Sequence, residues 1–185
     1  FLTVPYPYSS GPLHIGHGRT YTIADIWARY KRLKGYNVLW PMGFHISGTP
    51  ISSISKKIEK GDKHTISLFE DYVRLYEKDQ RKAKEIVKGF VDPWNVARFF
   101  STVISSDFSS IGFSVDWSRS FTTGDPAYNK FVEWQFTALK NLGLITKGNH
   151  PVQFCLVCNT AVGEDDIKDG DTLDTGIKIF TAIKF

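Results

Sequence analysis

Two cysteines, Cys155 and Cys158, are all that this 185-residue sequence contains. They are too few and too close together to frame a disulfide-stapled fold. No apolar run approaches the roughly 20 residues that a membrane-spanning helix requires. No charged, apolar and small-residue series marks an export signal. These absences give the expectation of a cytoplasmic protein without a membrane partner. There is no internal repeat and no low-complexity tract, which excludes a solenoid or a disordered tail as the main architecture. Nor does one sign of charge dominate. Lys and Arg total 23 against 19 Asp and Glu, a net charge of +4, with a pI near 9.0. Such a balance is compatible with a polyanionic partner but does not establish one.

What the sequence does have is a hydrophobic content of 42% and 15% aromatic residues, the composition of a globular protein. Its length suits one domain, or one domain and the start of a second. The most informative stretch is Gly11-Pro12-Leu13-His14-Ile15-Gly16-His17. The strand-like Phe1-Leu2-Thr3-Val4 runs into it, and an amphipathic pattern follows it. A turn that delivers two imidazoles and free backbone N–H groups to a helix N-terminus is suited to holding phosphate. The helix dipole attracts the anion, and the imidazoles can donate to charge building up at phosphorus. Taken alone, two histidines three apart also fit an ordinary helix cap with a solvated side chain.

The spacing of Ile15, Ile23, Ile26, Trp27, Tyr30 and Leu33 predicts an amphipathic helix from His14 to Lys34, stopped at Gly35. Residues 36–40, closed by Pro41, read as a buried parallel strand. Strand, helix and strand in about forty residues form a βαβ unit, which predicts an α/β fold with a Rossmann-like parallel sheet. Residues 50–111 read as helical: one helix from Pro50 to Lys60, a charged second from Thr65 to Lys88, and a third from Asp92-Pro93 to Ile111. Residues 113–119 read as a short extended or turn segment. Asp125-Pro126 opens a further helix to about Leu142, with Phe131, Trp134, Gln135, Ala138 and Leu142 near one face. Short strands are expected at 144–147 and 152–155, a loop at 165–174, and a strand at 177–185. That last strand, ending without a cap or tail, predicts a piece of a longer protein.

The segment from Tyr6 to His17 resembles the first signature of class I aminoacyl-tRNA synthetases. Residues 35–51 resemble the second strand and following loop of the branch that handles leucine, isoleucine and valine. Residues 112–119, 131–136 and 150–162 are similar to the connecting region of that branch. Within it, Tyr6-Pro7-Tyr8 and the loop Phe44 to Ile51 resemble the leucyl-tRNA synthetases of archaeal and eukaryotic-cytosolic type.

The resemblance implies a two-step reaction: activation of leucine by ATP with Mg2+ to leucyl-adenylate, then transfer to tRNA(Leu). It implies that His14 and His17 are catalytic and stabilise the α-phosphate transition state. Pro12, His14, Gly16 and His17 would form the ATP site, with Gly16 bare so that adenine can lie on the backbone. Arg19 could add charge near the phosphates or be a solvated helix position. Tyr6, Pro7, Tyr8 and His45 would frame the leucine pocket. Bacterial leucyl and many isoleucyl enzymes carry an Asp, which holds the substrate ammonium, where this sequence has His45. An imidazole can accept from the ammonium but supplies no counter-charge.

Cys155 and Cys158 would supply half of a tetrahedral Zn2+ site, whose second pair lies after the editing insertion in related synthetases. His150 is a possible third ligand, and two reduced cysteines without metal are the alternative. The resemblance divides the chain into residues 1–111, the first half of the Rossmann-like catalytic domain; residues 112–175, a helical and zinc-ribbon-like connective region; and residues 176–185, the start of an editing insertion. The Lys-Met-Ser-Lys-Ser-like loop of the class does not occur in the sequence. Alternatives are an isoleucyl or valyl enzyme, a small nucleotidylyltransferase sharing the His-x-Gly-His motif, or a non-catalytic paralogue that binds tRNA.

Overall fold

The computed structural model describes residues 1–149, 151–156 and 160–161. The chain divides into two compact units, Phe1–Asn149 and His150–Phe185. In the first unit the elements run α1 (Ile15–Leu33), β1 (Pro41–Phe44), α2 (Thr49–Glu59), α3 (Lys63–Arg74), α4 (Gln80–Gly89), α5 (Pro93–Ile111), β2 (Asp116–Thr122) and α6 (Pro126–Asn141). The second unit contributes the short antiparallel pair β3 (Phe154–Cys155) and β4 (Thr160–Ala161). The expected α/β class is what forms.

The sheet of the first unit is parallel. β1 pairs with β2 through Pro41 and Asp116, then Gly43 and Phe121, then Phe44 and Thr122, with an irregularity between Pro41 and Gly43. The N-terminal segment runs along the other edge of β1. Leu2 N–H donates to the Leu39 carbonyl at 2.9 Å, His45 N–H to the Pro7 carbonyl at 2.9 Å, and Ser9 N–H to the His45 carbonyl at 3.0 Å. A parallel bridge joins Tyr8 to His45. Three extended segments therefore lie side by side, with β1 in the middle. α1 makes the first crossover and α2 to α5 make the second, as parallel neighbours require.

Two corrections concern strands. Residues 36–40 precede the middle strand instead of forming it; β1 begins at Pro41. Pro has no N–H to give a ladder, and the first residue of a strand is where that costs least. Residues 144–147 form no strand. The segment expected as extended or turn, by contrast, becomes β2. The charged stretch 65–88 is two helices, not one. Asp79 accepts from the N–H groups of Arg81 at 2.8 Å and Lys82 at 3.3 Å, and so starts α4 afresh.

The cores also differ from the periodic reading. α1 turns Tyr21, Ala24, Asp25 and Ala28 inward, while Ile15, Ile23, Ile26, Trp27, Tyr30 and Leu33 are exposed. Small residues let the helix approach Trp40, Met42 and Phe44 on one side and Ile104 and Phe108 of α5 on the other. A second core lies among the helices, where Phe69, Phe90 and Phe100 pack edge-on or tilted with Val73, Val87 and Val96. Each such large side chain contributes about 1.5–3 kcal/mol when buried. α5 runs through both cores and joins them. No residue of α6 is buried, Phe131, Trp134 and Ala138 included, and Leu142 just beyond it is exposed. Among the described residues, no helix is long and apolar enough to cross a membrane.

Candidate active site

The C-terminal ends of the three parallel segments and the start of α1 converge, as ligand sites do in open α/β sheets. Tyr8 ends the first segment, His45 follows β1, and Thr123 follows β2. The turn Ser9 to Leu13 then carries the chain into α1. Ser9 is fully buried, and its hydroxyl lies 2.8 Å from that of Ser101 on α5. This contact pins the turn beneath the site. Pro12 is half-buried within it.

His14 is the residue that caps α1. Its Nδ1 accepts from the Gly16 N–H at 3.1 Å. His17 Nδ1 accepts in turn from the His14 N–H at 3.4 Å. The two imidazoles lie 4.1 Å apart, centre to centre. The pair thus satisfies two of the amides that a helix start leaves open. It also sets both tautomers. A neutral ring that accepts at Nδ1 carries its proton on Nε2, so each ring in that form keeps Nε2–H as a donor. Partial burial, with the neighbouring His14 second, lowers the pKa of His17 and favours its neutral form.

Gly16 is shaped by this cap. A Cβ there would stand 2.8 Å from His14 Cε1 and 3.0 Å from His14 Nδ1. The bare glycine lets the His14 ring lie across the helix start, a reason the sequence did not disclose. No acidic residue occupies the first turn, so nothing there opposes an anion. Arg19 is exposed on α1.

On the sheet, Tyr6 meets Phe121 of β2 edge-on at 5.3 Å. Both rings sit over Gly43, where a Cβ would stand 2.9 Å from Phe121 and 3.0 Å from Tyr6. Pro7 is buried, and its carbonyl accepts from the His45 N–H at 2.9 Å. The exposed Tyr8 packs on His45, with ring centres 4.1 Å apart. His45 Nε2 lies 3.1 Å from the Ser47 hydroxyl. Burial lowers the His45 pKa, which favours the uncharged ring. Beyond it a cleft of about 370 Å³ opens, walled by Ile46, Ser47, Ile51, Trp94 and Gly124 among others. The Ile46 N–H donates to the Thr123 hydroxyl at 3.1 Å, tying the two strand ends together.

Tyr6, Pro7, Tyr8 and His45 are therefore gathered at one end of the sheet, and His14, Gly16 and His17 are gathered at the helix start that follows Tyr8. Phe121 and Ser47 were not singled out from the sequence. Ser47 was within reach, two residues beyond His45; Phe121 depends on the β1–β2 register, which no local pattern reveals. Cys155 lies in β3, while Cys158 and His150 fall outside the described residues, as does the segment 177–185. Among the described residues no three His, Cys, Asp or Glu side chains form a group that could hold a metal.

The family model for tRNA synthetases class I (I, L, M and V) matches residues 1–176. The chain is 54% identical over 185 residues to a leucine–tRNA ligase of Staphylothermus marinus, covering 100% of the chain and 19% of that protein. It is 52% identical to one of Thermoplasma acidophilum over 184 residues, covering 100% of the chain and 20% of the relative. For one of Pyrococcus abyssi the identity is 45% over 187 residues, covering 100% and 18%. The chain thus spans about a fifth of the length of the curated relatives it matches. A crystal structure of the Agrobacterium radiobacter K84 agnB2 LeuRS in ternary complex with tRNA and LeuAMS superposes with a TM-score of 0.59 at 25% identity, covering 89% of this chain and 17% of that one. With a family model matched over nearly its whole length, and a paired-histidine helix start at the carboxyl ends of parallel strands, the chain belongs to the class I tRNA synthetases (I, L, M and V).

Proposed function

We propose that residues 1–185 are part of a leucine–tRNA ligase, the part that binds ATP and leucine. The observation that carries this reading is the pair of imidazoles, His14 and His17, held at the start of α1 by their own Nδ1 bonds, which leaves Nε2–H as the donor of each neutral ring. In the first step a leucine carboxylate oxygen attacks the α-phosphorus of Mg2+-bound ATP. The bond from that phosphorus to the bridging oxygen breaks, and pyrophosphate leaves. No proton must move, because the nucleophile is already an anion. What the step needs is donors aimed at charge on the phosphoryl oxygens. His14 and His17 fill that role, and the positive end of the α1 dipole adds to it. In the second step a terminal ribose hydroxyl of tRNA(Leu) attacks the adenylate carbonyl and AMP leaves.

Pro12 and Gly16 complete the ATP site. Tyr6, Pro7, Tyr8 and His45 form one wall of the leucine pocket, with Phe121 behind Tyr6. In the tautomer whose Nε2–H donates to the Ser47 hydroxyl, His45 has Nδ1 as an acceptor for the leucine ammonium. An apolar pocket separates aliphatic side chains by only ~1–3 kcal/mol per methylene, which motivates reading residues 176–185 as the entry to an editing insertion. Residues 1–111 we read as the first half of the catalytic domain and 112–175 as the connective region. Cys155 and Cys158 supply two of the four donors that structural zinc takes. That is an incomplete set, and no step depends on a metal there. A cytoplasmic location follows from the proposed role in translation.

Leucine-dependent ATP–pyrophosphate exchange by the full-length protein tests the proposal, with isoleucine and valine run beside it. Strong exchange with leucine, reduced about 10²–10³-fold in kcat by His17→Ala, is the expected result. A preference for isoleucine or valine would move the protein to a sister specificity, and no exchange with any of the three would overturn the enzymatic reading.

A further inference from the structure

α1 carries one buried charge. Asp25 sits on the inward face beside Tyr21, Ala24 and Ala28 and is 9% exposed. Its Oδ1 accepts from the Ser114 N–H and from the Ser114 hydroxyl, both at 2.7 Å. Its Oδ2 accepts from Arg29 Nε at 2.6 Å. Arg29 also reaches the Gly112 carbonyl. Arg32 donates to the Ser114 hydroxyl at 2.6 Å and to the Val38 carbonyl at 3.3 Å. Burial raises the Asp25 pKa, but the Ser114 bonds and Arg29 outweigh it, and the net shift is downward.

The ion pair adds little to stability, because the Arg29 side chain is 53% exposed and water screens it. Directional bonds offer something that packing does not. Apolar burial is non-directional, whereas the bonds on Asp25 oppose both sliding and turning of α1. They refer α1 to the turn 112–114, which leads directly into β2, where the Asp116 N–H donates to the Trp40 carbonyl at 2.8 Å. The far end of β2 lies beside His45 through Thr123 and Ile46. The Tyr21 hydroxyl adds a second tie, donating to the Pro5 carbonyl at 2.7 Å. His14 and His17 ride at the start of the same unbroken helix, about 16 Å and about 12 Å from Asp25 along the axis.

Resting on the reading that leucine activation occurs at His14 and His17, we propose that Asp25 is a positioning residue. Through Ser114 it fixes the axial and rotational setting of α1, and with it the two imidazoles relative to the pocket on the sheet. A displacement of about 1 Å at a reacting centre costs on the order of 10²-fold in rate.

The test uses the full-length protein. Asp25→Ala is expected to lower kcat of leucine-dependent exchange about 10–100-fold, with KM for leucine little changed. Asp25→Asn, whose amide oxygen can still accept from Ser114, recovers part of the loss. Asp25→Ala and Ser114→Ala are expected to be non-additive in kcat, because they remove one connection. A merely structural Asp25 would lower Tm and leave kcat at wild-type level wherever the variant is folded; that outcome overturns the proposal. A second measurement needs no catalysis: the ring Cε1–Hε1 NMR signals of His14 and His17 in protein labelled at histidine. They are expected to shift in both Asp25 variants while circular dichroism stays native. Signals superimposable on wild type overturn the proposal as well. Wild-type protein without exchange would count against the enzymatic reading alone, and the NMR comparison would still decide the role of Asp25.

Discussion

At the scale of single residues, the site turns on where protons sit. His14 and His17 each use Nδ1 to close the helix, and that choice leaves the proton of a neutral ring on Nε2. Gly16 makes the choice possible. Gly16→Ala raises intrinsic helix propensity by about 1 kcal/mol, yet its methyl would displace the His14 ring. The expected result is a kcat for exchange lowered at least about tenfold with Tm unchanged or slightly raised, read from exchange and thermal unfolding on the same preparation. His45 gives a pH signature. Burial holds its pKa below the ordinary 6.5, so the ring is neutral at pH 7 and gains a proton as pH falls through that lower value. A protonated ring cannot accept from an ammonium and repels it. KM for leucine is therefore expected to rise below pH 6.5 and stay flat above it; His45→Gln, which accepts without titrating, should abolish the rise.

At the scale of elements, what could be read in the sequence depended on whether the cause was local. The start of α5 was legible because Asp92 caps it, accepting from the Trp94 N–H at 2.9 Å, and Pro93 follows. The start of α1 was legible for the same reason. Asp125 was readable only in part. It stands at the α6 N-cap, but its carboxylate turns back to the Thr122 N–H at 2.9 Å and hydroxyl at 2.7 Å. The strand at 36–40 was misplaced because an apolar run does not say where a ladder begins. The inward face of α1 was hidden for a different reason: small residues and an aspartate face the core, and large apolar ones face out. Pairings between distant segments, such as Tyr6 with Phe121 and Asp25 with Ser114, have no local signal at all. The gathering of His14, Gly16 and His17 was legible because the motif is contiguous; the packing of Tyr8 on His45 required the sheet.

At the scale of the molecule, the described chain leaves broad apolar surface uncovered. Phe131, Trp134 and Phe136 on α6 and Ile26, Trp27 and Tyr30 on α1 are all about half exposed or more. Soluble monomers seldom present apolar surface in that quantity. The 185-residue chain alone is expected to bind the dye ANS strongly and to associate at micromolar concentration. Phe131→Glu with Trp134→Glu should reduce both, as read by fluorescence and light scattering. The full-length protein should bind far less dye per mole, since its relatives are about five times as long as the matched region.

The capping bonds of His14 and His17, beside the catalytic role proposed for them, bear on how such a protein can age. In most enzymes a catalytic side chain can be lost to drift while the scaffold persists, because the two are selected separately. Here the imidazoles close the first turn of the helix on which the sheet packs. A lineage released from its chemistry would not be free to discard them at random. It would keep a residue able to cap, and Ser, Thr, Asp or Asn at position 14 would be the expected trace of an ancestor that lost the proposed chemistry but went on folding.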